Sequence, residues 1–251
     1  MTRIILSGCN GKMGKTITAC IAERNDCTIV AGFDINTAAN TYPVYANPAE
    51  CAVEADVIID FSHPAMLSGV LAYATKHQLP VVIATTGLSD EQVQTVQTAA
   101  KETAVFSSAN MSIGVSLLAE LAKKAASVLG TAFDVEIIEK HHNQKIDAPS
   151  GTALMLGEAV KEGLPYAASY VFDRHAVRQK RDAHEIGFSS VRGGNIVGQH
   201  DVLFAGMDEC ITLSHTATSK GVFAMGAINA AQFLIGKPAG YYTMKELVAE
   251  N

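Results

Sequence analysis

Sixteen consecutive positions, Glu139 to Leu154, carry two histidines, two lysines, two acids and a Pro-Ser-Gly turn. An apolar run, Phe133 to Ile138, leads in, and a run of helical spacing, Thr152 to Val160, leads out. Titratable groups gathered at the end of a strand and ahead of a helix are the usual makings of a catalytic loop. His141 and His142 can exchange a proton near neutral pH, and Lys145 can donate one or hold a carboxylate. Gly151-Thr152, at the helix start, presents backbone N–H groups to an anion. Cations beside a helix N-terminus suit a small acidic substrate, and a dicarboxylate fits best. Facing a hydride donor, such a loop would reduce a C=C or C=N bond in a small acid. A zinc site is disfavoured, because adjacent histidines on a strand point to opposite faces and no third ligand follows at metal spacing. A purely structural role for the histidines leaves Lys145 and the turn unexplained.

A hydride donor has its own place in the chain. A short apolar strand, Arg3 to Ser7, runs into Gly8-Cys9-Asn10-Gly11-Lys12-Met13-Gly14, then into helical spacing at Ile17, Ile21 and Ala22. A second strand, Thr28 to Phe33, ends at Asp34. Strand, glycine loop, helix, strand and acid occur in the order of a dinucleotide-binding unit, although the glycine spacing is Gly-x-x-Gly-x-x-Gly rather than the commoner Gly-x-Gly-x-x-Gly. The competing reading of the loop is an ordinary tight turn. Asp34 is placed to accept from a ribose diol, which favours NADH. No basic residue follows it in Ile35-Asn36-Thr37, while Lys12 could still meet a 2′-phosphate. NADH and NADPH both stay open, with the balance toward NADH.

The elements that must position these residues alternate. Val57 to Phe61, Val81 to Thr85 and Ala104 to Ser107 read as buried strands. Between them lie helices over Ala65 to His77 and from a Ser89/Gln92 capping box to about Thr103. Continuous apolar strands between helices predict a parallel sheet covered on both faces, with ligands at the carboxyl ends of the strands. Phe61-Ser62-His63-Pro64, Thr85-Thr86-Gly87 and Ser108-Ala109-Asn110-Met111 fall there; the middle one suits a carboxamide or ribose, and His63 reads equally as a turn residue. After a helix over Ile113 to Leu129 the pattern changes to period-2 strands at Phe133–Glu139, Glu185–Val191, Gly198–Ala205 and Glu209–Ala217, with one helix, Thr152 to Glu162. This predicts a mixed or antiparallel sheet with one face on helices and the other available for self-association. Arg174 to His184 is basic, a solvated loop or, second, a substrate-facing one. An alanine-rich helix, Val222 to Ile235, is expected to return to the first domain. The fold class is therefore α/β, with a Rossmann-type parallel-sheet dinucleotide domain (1–111 and 219–251) and a smaller α+β substrate-binding and oligomerisation domain with a mixed sheet (112–218).

The totals narrow the field. The chain has 251 residues, 48% of them hydrophobic, and a net charge of −6 with interspersed signs, so neither nucleic acid nor an anionic membrane surface is the expected partner. Apolar runs are too short or broken to span a bilayer, and no leader pattern precedes the first strand. Five cysteines without a Cys-x-x-Cys pair fit a reduced, cytoplasmic protein and argue against structural zinc.

The run His141-His142-x-x-Lys145-x-Asp147-Ala148-Pro149-Ser150-Gly151-Thr152 resembles the signature of the bacterial 4-hydroxy-tetrahydrodipicolinate (dihydrodipicolinate) reductase family. Gly8 to Gly14, Thr85-Thr86-Gly87, Ser108 to Val115, Arg192-Gly193-Gly194 and the Phe223-Ala224 to Tyr242-Thr243-Met244 pattern extend the likeness over most of the chain. The resemblance implies NADH- or NADPH-dependent reduction in diaminopimelate and lysine biosynthesis, by a homotetramer. It implies His141 as general acid/base, Lys145 as proton donor beside it, His142 as a substrate contact, and Gly151 and Thr152 as holders of a substrate carboxylate. The dinucleotide would lie against Gly8, Cys9, Asn10, Gly11, Lys12, Met13, Asp34, Ala84, Thr85, Thr86, Ser108, Ala109, Asn110 and Met111. Two positions depart from the family pattern: Ala84 stands where glycine is usual, and Ile35 where many members carry a basic residue.

Overall fold

The computed structural model describes residues 1–108, 110–175 and 177–250. In chain order its first elements are β1 (Thr2–Ser7), α1 (Lys12–Ala22), β2 (Cys27–Phe33), β3 (Val44–Tyr45), β4 (Val57–Asp60), α2 (Leu67–His77), β5 (Val81–Ile83), α3 (Asp90–Ala99) and β6 (Ala104–Ser107). Then come α4 (Ile113–Leu129), β7 (Asp134–His141), α5 (Gly151–Gly163), β8 (Ser169–Val171), β9 (Glu185–Arg192), β10 (Gly198–Ala205) and β11 (Cys210–Ala217). The chain closes with α6 (Gly221–Leu234), β12 (Gly240–Tyr242) and α7 (Met244–Ala249). It divides into two compact units, Met1–Ser112 with Lys220–Asn251, and Ile113–Ser219.

In the first unit seven strands form one sheet in the order β12-β6-β5-β4-β1-β2-β3, with every pairing parallel. Ile4, Ile5, Leu6, Val57, Ile58, Ile59, Val81 and Val82 are wholly buried, as consecutive apolar residues must be when both sheet faces are covered. Alternate residues (Ile5, Ile58, Val81, Ile83) meet Val70, Leu71 and Ala74 of α2 and Val96 of α3. The helix α6 lies against α1, β4, β5 and β6, so the returning alanine-rich helix belongs to this unit. β1 is flanked by β2 on one side and β4 on the other, the reversal of strand order at which a crevice opens in such sheets. The Ser89/Gln92 capping box is present, but α3 ends at Ala99, short of the expected Thr103. Thr103 instead donates to the Leu79 carbonyl at 2.9 Å as the chain turns into β6. The short strands β3 and β12 were not legible, since two or three residues carry no periodicity.

In the second unit the order is β11-β10-β7-β9-β8. β11–β10 and β10–β7 pair antiparallel, β7–β9 and β9–β8 parallel, which makes the expected mixed sheet. One face packs Val135, Ile137, Ile186, Phe188, Val202 and Phe204 against Leu118, Ala122 and Ala126 of α4 and Ala153, Leu156 and Val160 of α5. On the other face Cys210, Thr212, Ser214 and Thr216 of β11 are exposed. Two arginines of the basic stretch before β9 have their charge answered locally. Arg174 pairs with Glu185 and with Glu136 (2.7 Å), and Arg181 with Asp134 (2.9 Å).

Candidate active site

The alternation of a strand puts Glu139 and His141 on one face of β7, and that face is the inner one: they are 1% and 8% exposed. β7 runs two residues past the expected end at Glu139, because His141 pairs with Arg192 of β9 and its carbonyl accepts from Gly193 N–H at 2.9 Å. The principal histidine is therefore held by a strand and not by a loop. The ladders bring Arg192 opposite His141 and His200 of β10 opposite Glu139. Arg192 grips the Glu139 carboxylate with both terminal nitrogens, at 2.8 and 2.7 Å. Ser150 N–H donates to the same carboxylate at 3.1 Å, and His141 Nδ1 lies 2.6 Å from it. Burial pushes the Glu139 carboxyl up, but the hydrogen bonds from Arg192, His141 and Ser190 outweigh it and hold it down at about 2. It is a permanent anion at working pH.

His200 stands edge-on to His141, ring centroids 5.1 Å apart, with Nε2 2.9 Å from Ser150 Oγ. Burial, and then the neighbouring His141, push it down to about 4, so it stays neutral. Ser150 caps α5, its Oγ accepting from Ala153 N–H at 3.1 Å. Past His141 the chain leaves the ladder. His142 is half-buried, Asn143 N–H donates to the Gly194 carbonyl (3.2 Å), and Arg192 donates to the Asp147 carbonyl (2.6 Å). Lys145 Nζ lies 2.8 Å from Asp147 Oδ1. Lys145 holds the Asp147 carboxyl below its ordinary range, against the cost of its partial burial. A carboxylate of the chain itself thus occupies Lys145, which was expected to meet a substrate carboxylate or give a proton. Gly151 is exposed with open space around it, and Thr152 is half-buried. His141, His142, Lys145, Gly151 and Thr152 were the expected site residues; the sequence assigned no role to Glu139, Asp147, Arg192 and His200, which the structure sets in contact with His141, Lys145 or one another. The two-residue step from Glu139 to His141 was a usable signal; Arg192 and His200 come from strands more than fifty residues on.

In the first unit the glycine loop has the form its spacing suggested. Gly8 is at φ +76°, and a Cβ there would fall 2.6 Å from the Phe61 carbonyl oxygen. A Cβ on Gly14 would run into the Gly8 carbonyl, so glycine is what lets α1 lie against the loop. α1 starts at Lys12 with no side-chain cap and no acid in its first turn, whereas α3 and α7 of the same unit have both. Uncapped N–H groups beside a lysine fit a dinucleotide pyrophosphate. Asp34 accepts from Asn10 N–H and Asn36 N–H, each at 2.9 Å, which ties the loop to the end of β2 and leaves lone pairs for a ribose. Cys9 faces Gly32 and is 1% exposed; burial, then Asp34, push its thiol up to about 11, so only its backbone can serve a ligand. Gly11 and Lys12 are exposed, and Asn10 and Met13 half-buried. Ala84 and Thr85 are buried and Thr86 exposed, and Thr85 Oγ1 donates to buried Asp60 at 2.7 Å. Ser108 Oγ donates to the Asn110 carbonyl (2.8 Å), Met111 is buried, and Ala109 lies outside the described residues.

Comparison with known proteins decides the family. The model described as dihydrodipicolinate reductase, N-terminus, matches residues 2–111, and the one described as dihydrodipicolinate reductase, C-terminus, matches residues 114–248. The chain belongs to the dihydrodipicolinate reductase family. A 4-hydroxy-tetrahydrodipicolinate reductase of Caldanaerobacter subterraneus subsp. tengcongensis is 51% identical over 251 residues, all of both chains. One from Clostridium tetani is 48% identical, covering 97% of this chain and 96% of the relative. Among solved structures, a dipicolinate-bound dihydrodipicolinate reductase from Paenisporosarcina sp. TG-14 superposes with a TM-score of 0.77 at 26% identity, covering 97% of each chain. Membership makes this chain a Rossmann-type oxidoreductase with a mixed-sheet second unit. Among the described residues no helix is long and apolar enough to cross a membrane.

Proposed function

We propose how this dihydrodipicolinate reductase family member carries out its reaction: the NAD(P)H-dependent reduction of 4-hydroxy-tetrahydrodipicolinate to tetrahydrodipicolinate, with loss of water, in diaminopimelate and lysine biosynthesis. The observation that carries the assignment of residues is the exposed Asp147 carboxylate held by Lys145 Nζ (2.8 Å), a few residues ahead of the start of α5. A cation that already holds a carboxylate ahead of a helix N-terminus can hold one on a substrate. The substrate is a small dicarboxylate. One of its carboxylates displaces Asp147 and takes up Lys145, Gly151 and Thr152, and His142 makes a further contact.

The dinucleotide, when bound, supplies the hydride. Gly8, Cys9, Asn10, Gly11, Lys12 and Met13 hold its pyrophosphate, Asp34 its ribose, and Ala84, Thr85, Thr86, Ser108, Ala109, Asn110 and Met111 the nicotinamide half. His141, with Lys145 beside it, gives the proton that balances the hydride, and the hydroxyl group leaves as water. Asp34 with the uncharged residues after it makes NADH the preferred donor. We place the contacts of a homotetramer on the open face of the second unit's sheet. The thiols, free in all five cysteines, suit the reducing cytoplasm. The decisive assay follows oxidation of NADH and of NADPH with freshly generated substrate. We expect turnover with both and a higher kcat/KM with NADH; no oxidation of either would overturn the reading, and a marked NADPH preference would overturn the role given to Asp34.

A further inference from the structure

The buried carboxylate of Glu139 is held at both oxygens: Oε1 accepts from Arg192 and Ser150 N–H, and Oε2 accepts from the other arm of Arg192 and faces His141 Nδ1. An ionised carboxylate only accepts, so the proton in the 2.6 Å contact sits on Nδ1 of His141. The arrangement is rigid, because Glu139 and His141 are two residues apart on one strand and Arg192 is the ladder partner of His141 on the next. The far side of the ring is kept clear: a Cβ on Gly198 would come within 3.1 Å of Nε2, and residue 198 has none.

We propose that Glu139, clamped by Arg192, is the positioning residue of the reaction. It fixes the tautomer of His141 and confines proton exchange to Nε2. The charged and titratable groups around His141 are Glu139 on its own strand, Arg192 from β9, His200 from β10 with His215 of β11 behind it, and Lys145 from the following loop. Glu139 is the anion among these in contact with the ring, and it meets the ring at Nδ1. The inference rests on His141 as proton donor, and carboxylate–histidine pairing of this kind orients imidazoles in unrelated enzymes.

The test is 15N spectroscopy of histidine-labelled enzyme over pH, with kcat profiles of wild type and Glu139→Gln. In the wild type the neutral ring carries its proton on Nδ1. In Glu139→Gln, whose amide can donate to Nδ1 as well as accept from it, a share of the rings turns to the Nε2–H tautomer. With it kcat falls by about tenfold or more, while substrate KM stays within about twofold of wild type. Glu139→Asp, which keeps the charge and only accepts, restores the Nδ1–H tautomer and part of kcat. An Nε2–H tautomer in the wild type, or a tautomer unmoved in Glu139→Gln, overturns the proposal. If the tautomer moves and kcat does not, positioning by Glu139 stands and His141 is not the proton donor. Should Glu139→Gln fail to fold, the wild-type tautomer decides alone.

Discussion

Glu139, Arg192, Asp147 and Ser150 are joined by hydrogen bonds and ion pairs that leave His141 and Lys145 with one engaged side each and one side to offer. His141 is engaged at Nδ1, and Lys145 is paired with a carboxylate that is 57% exposed and so replaceable. The two residues should therefore fail differently. With His141 as the proposed proton donor, kcat of His141→Gln should fall about 10²- to 10⁴-fold, the range of a lost general acid, with NADH affinity within about twofold. Steady-state kinetics and fluorescence titration with NADH check it, and normal turnover would remove His141 from the chemistry. Lys145→Met should raise substrate KM as well as lower kcat, since the proposed function gives one side chain both the carboxylate and the proton. Unchanged values of both would exclude it from the site.

At the scale of elements, the glycine loop and the N-terminus of α1 form one device. Gly8 combines a left-handed φ of +76° with a Cβ position 2.6 Å from the Phe61 carbonyl, so alanine there is penalised twice. Gly8→Ala should lower stability by about 1–2 kcal/mol from backbone conformation alone and weaken NADH binding at least tenfold, with substrate-analogue binding to the second unit unchanged. Isothermal titration with NADH and with pyridine-2,6-dicarboxylate separates the two effects. Undiminished NADH affinity would show that this loop does not cradle the cofactor. The second device is the meeting of β7, β9 and β10, whose registers deliver Glu139, Arg192 and His200 to one spot.

At the scale of the whole molecule, acid should act on the second unit. His200 is held neutral at about 4 against an ordinary 6.5, so the unfolded chain binds its proton first, and its contribution is lost as pH falls from about 6.5 toward 4. Glu139 is held at about 2 against 4.5, so its contribution is full above 4.5 and lost from there toward 2. The signs agree, and each group is worth on the order of 3 kcal/mol at neutral pH. Both lie in the unit Ile113–Ser219. Amide exchange in β7 and β10 should accelerate between pH 6.5 and 4 while β1 and β4 keep their protection. In His200→Gln, which can still bond Ser150, that loss should begin only below about pH 4.5. Equal acceleration in β1 and β4 would overturn the assignment.

The sequence by itself determined the class of each unit and singled out the run, Glu139 to Leu154, in which the proposed site lies. Buried parallel strands demand unbroken apolar runs, a glycine loop demands glycines at set spacing, and the run from His141 to Thr152 keeps its residues within reach of one another whatever the fold. Those are local requirements, written in consecutive residues. Only the tertiary structure decided what stands behind His141. Glu139 could be read as the polar end of a strand, Arg192 as part of a turn and His200 as one residue of an alternating strand, because pairing between strands depends on register and not on neighbours in the chain. The same holds for Asp147, which as a sequence position is one more acid. In the fold it is a carboxylate held by Lys145 Nζ at 2.8 Å, ahead of the start of α5.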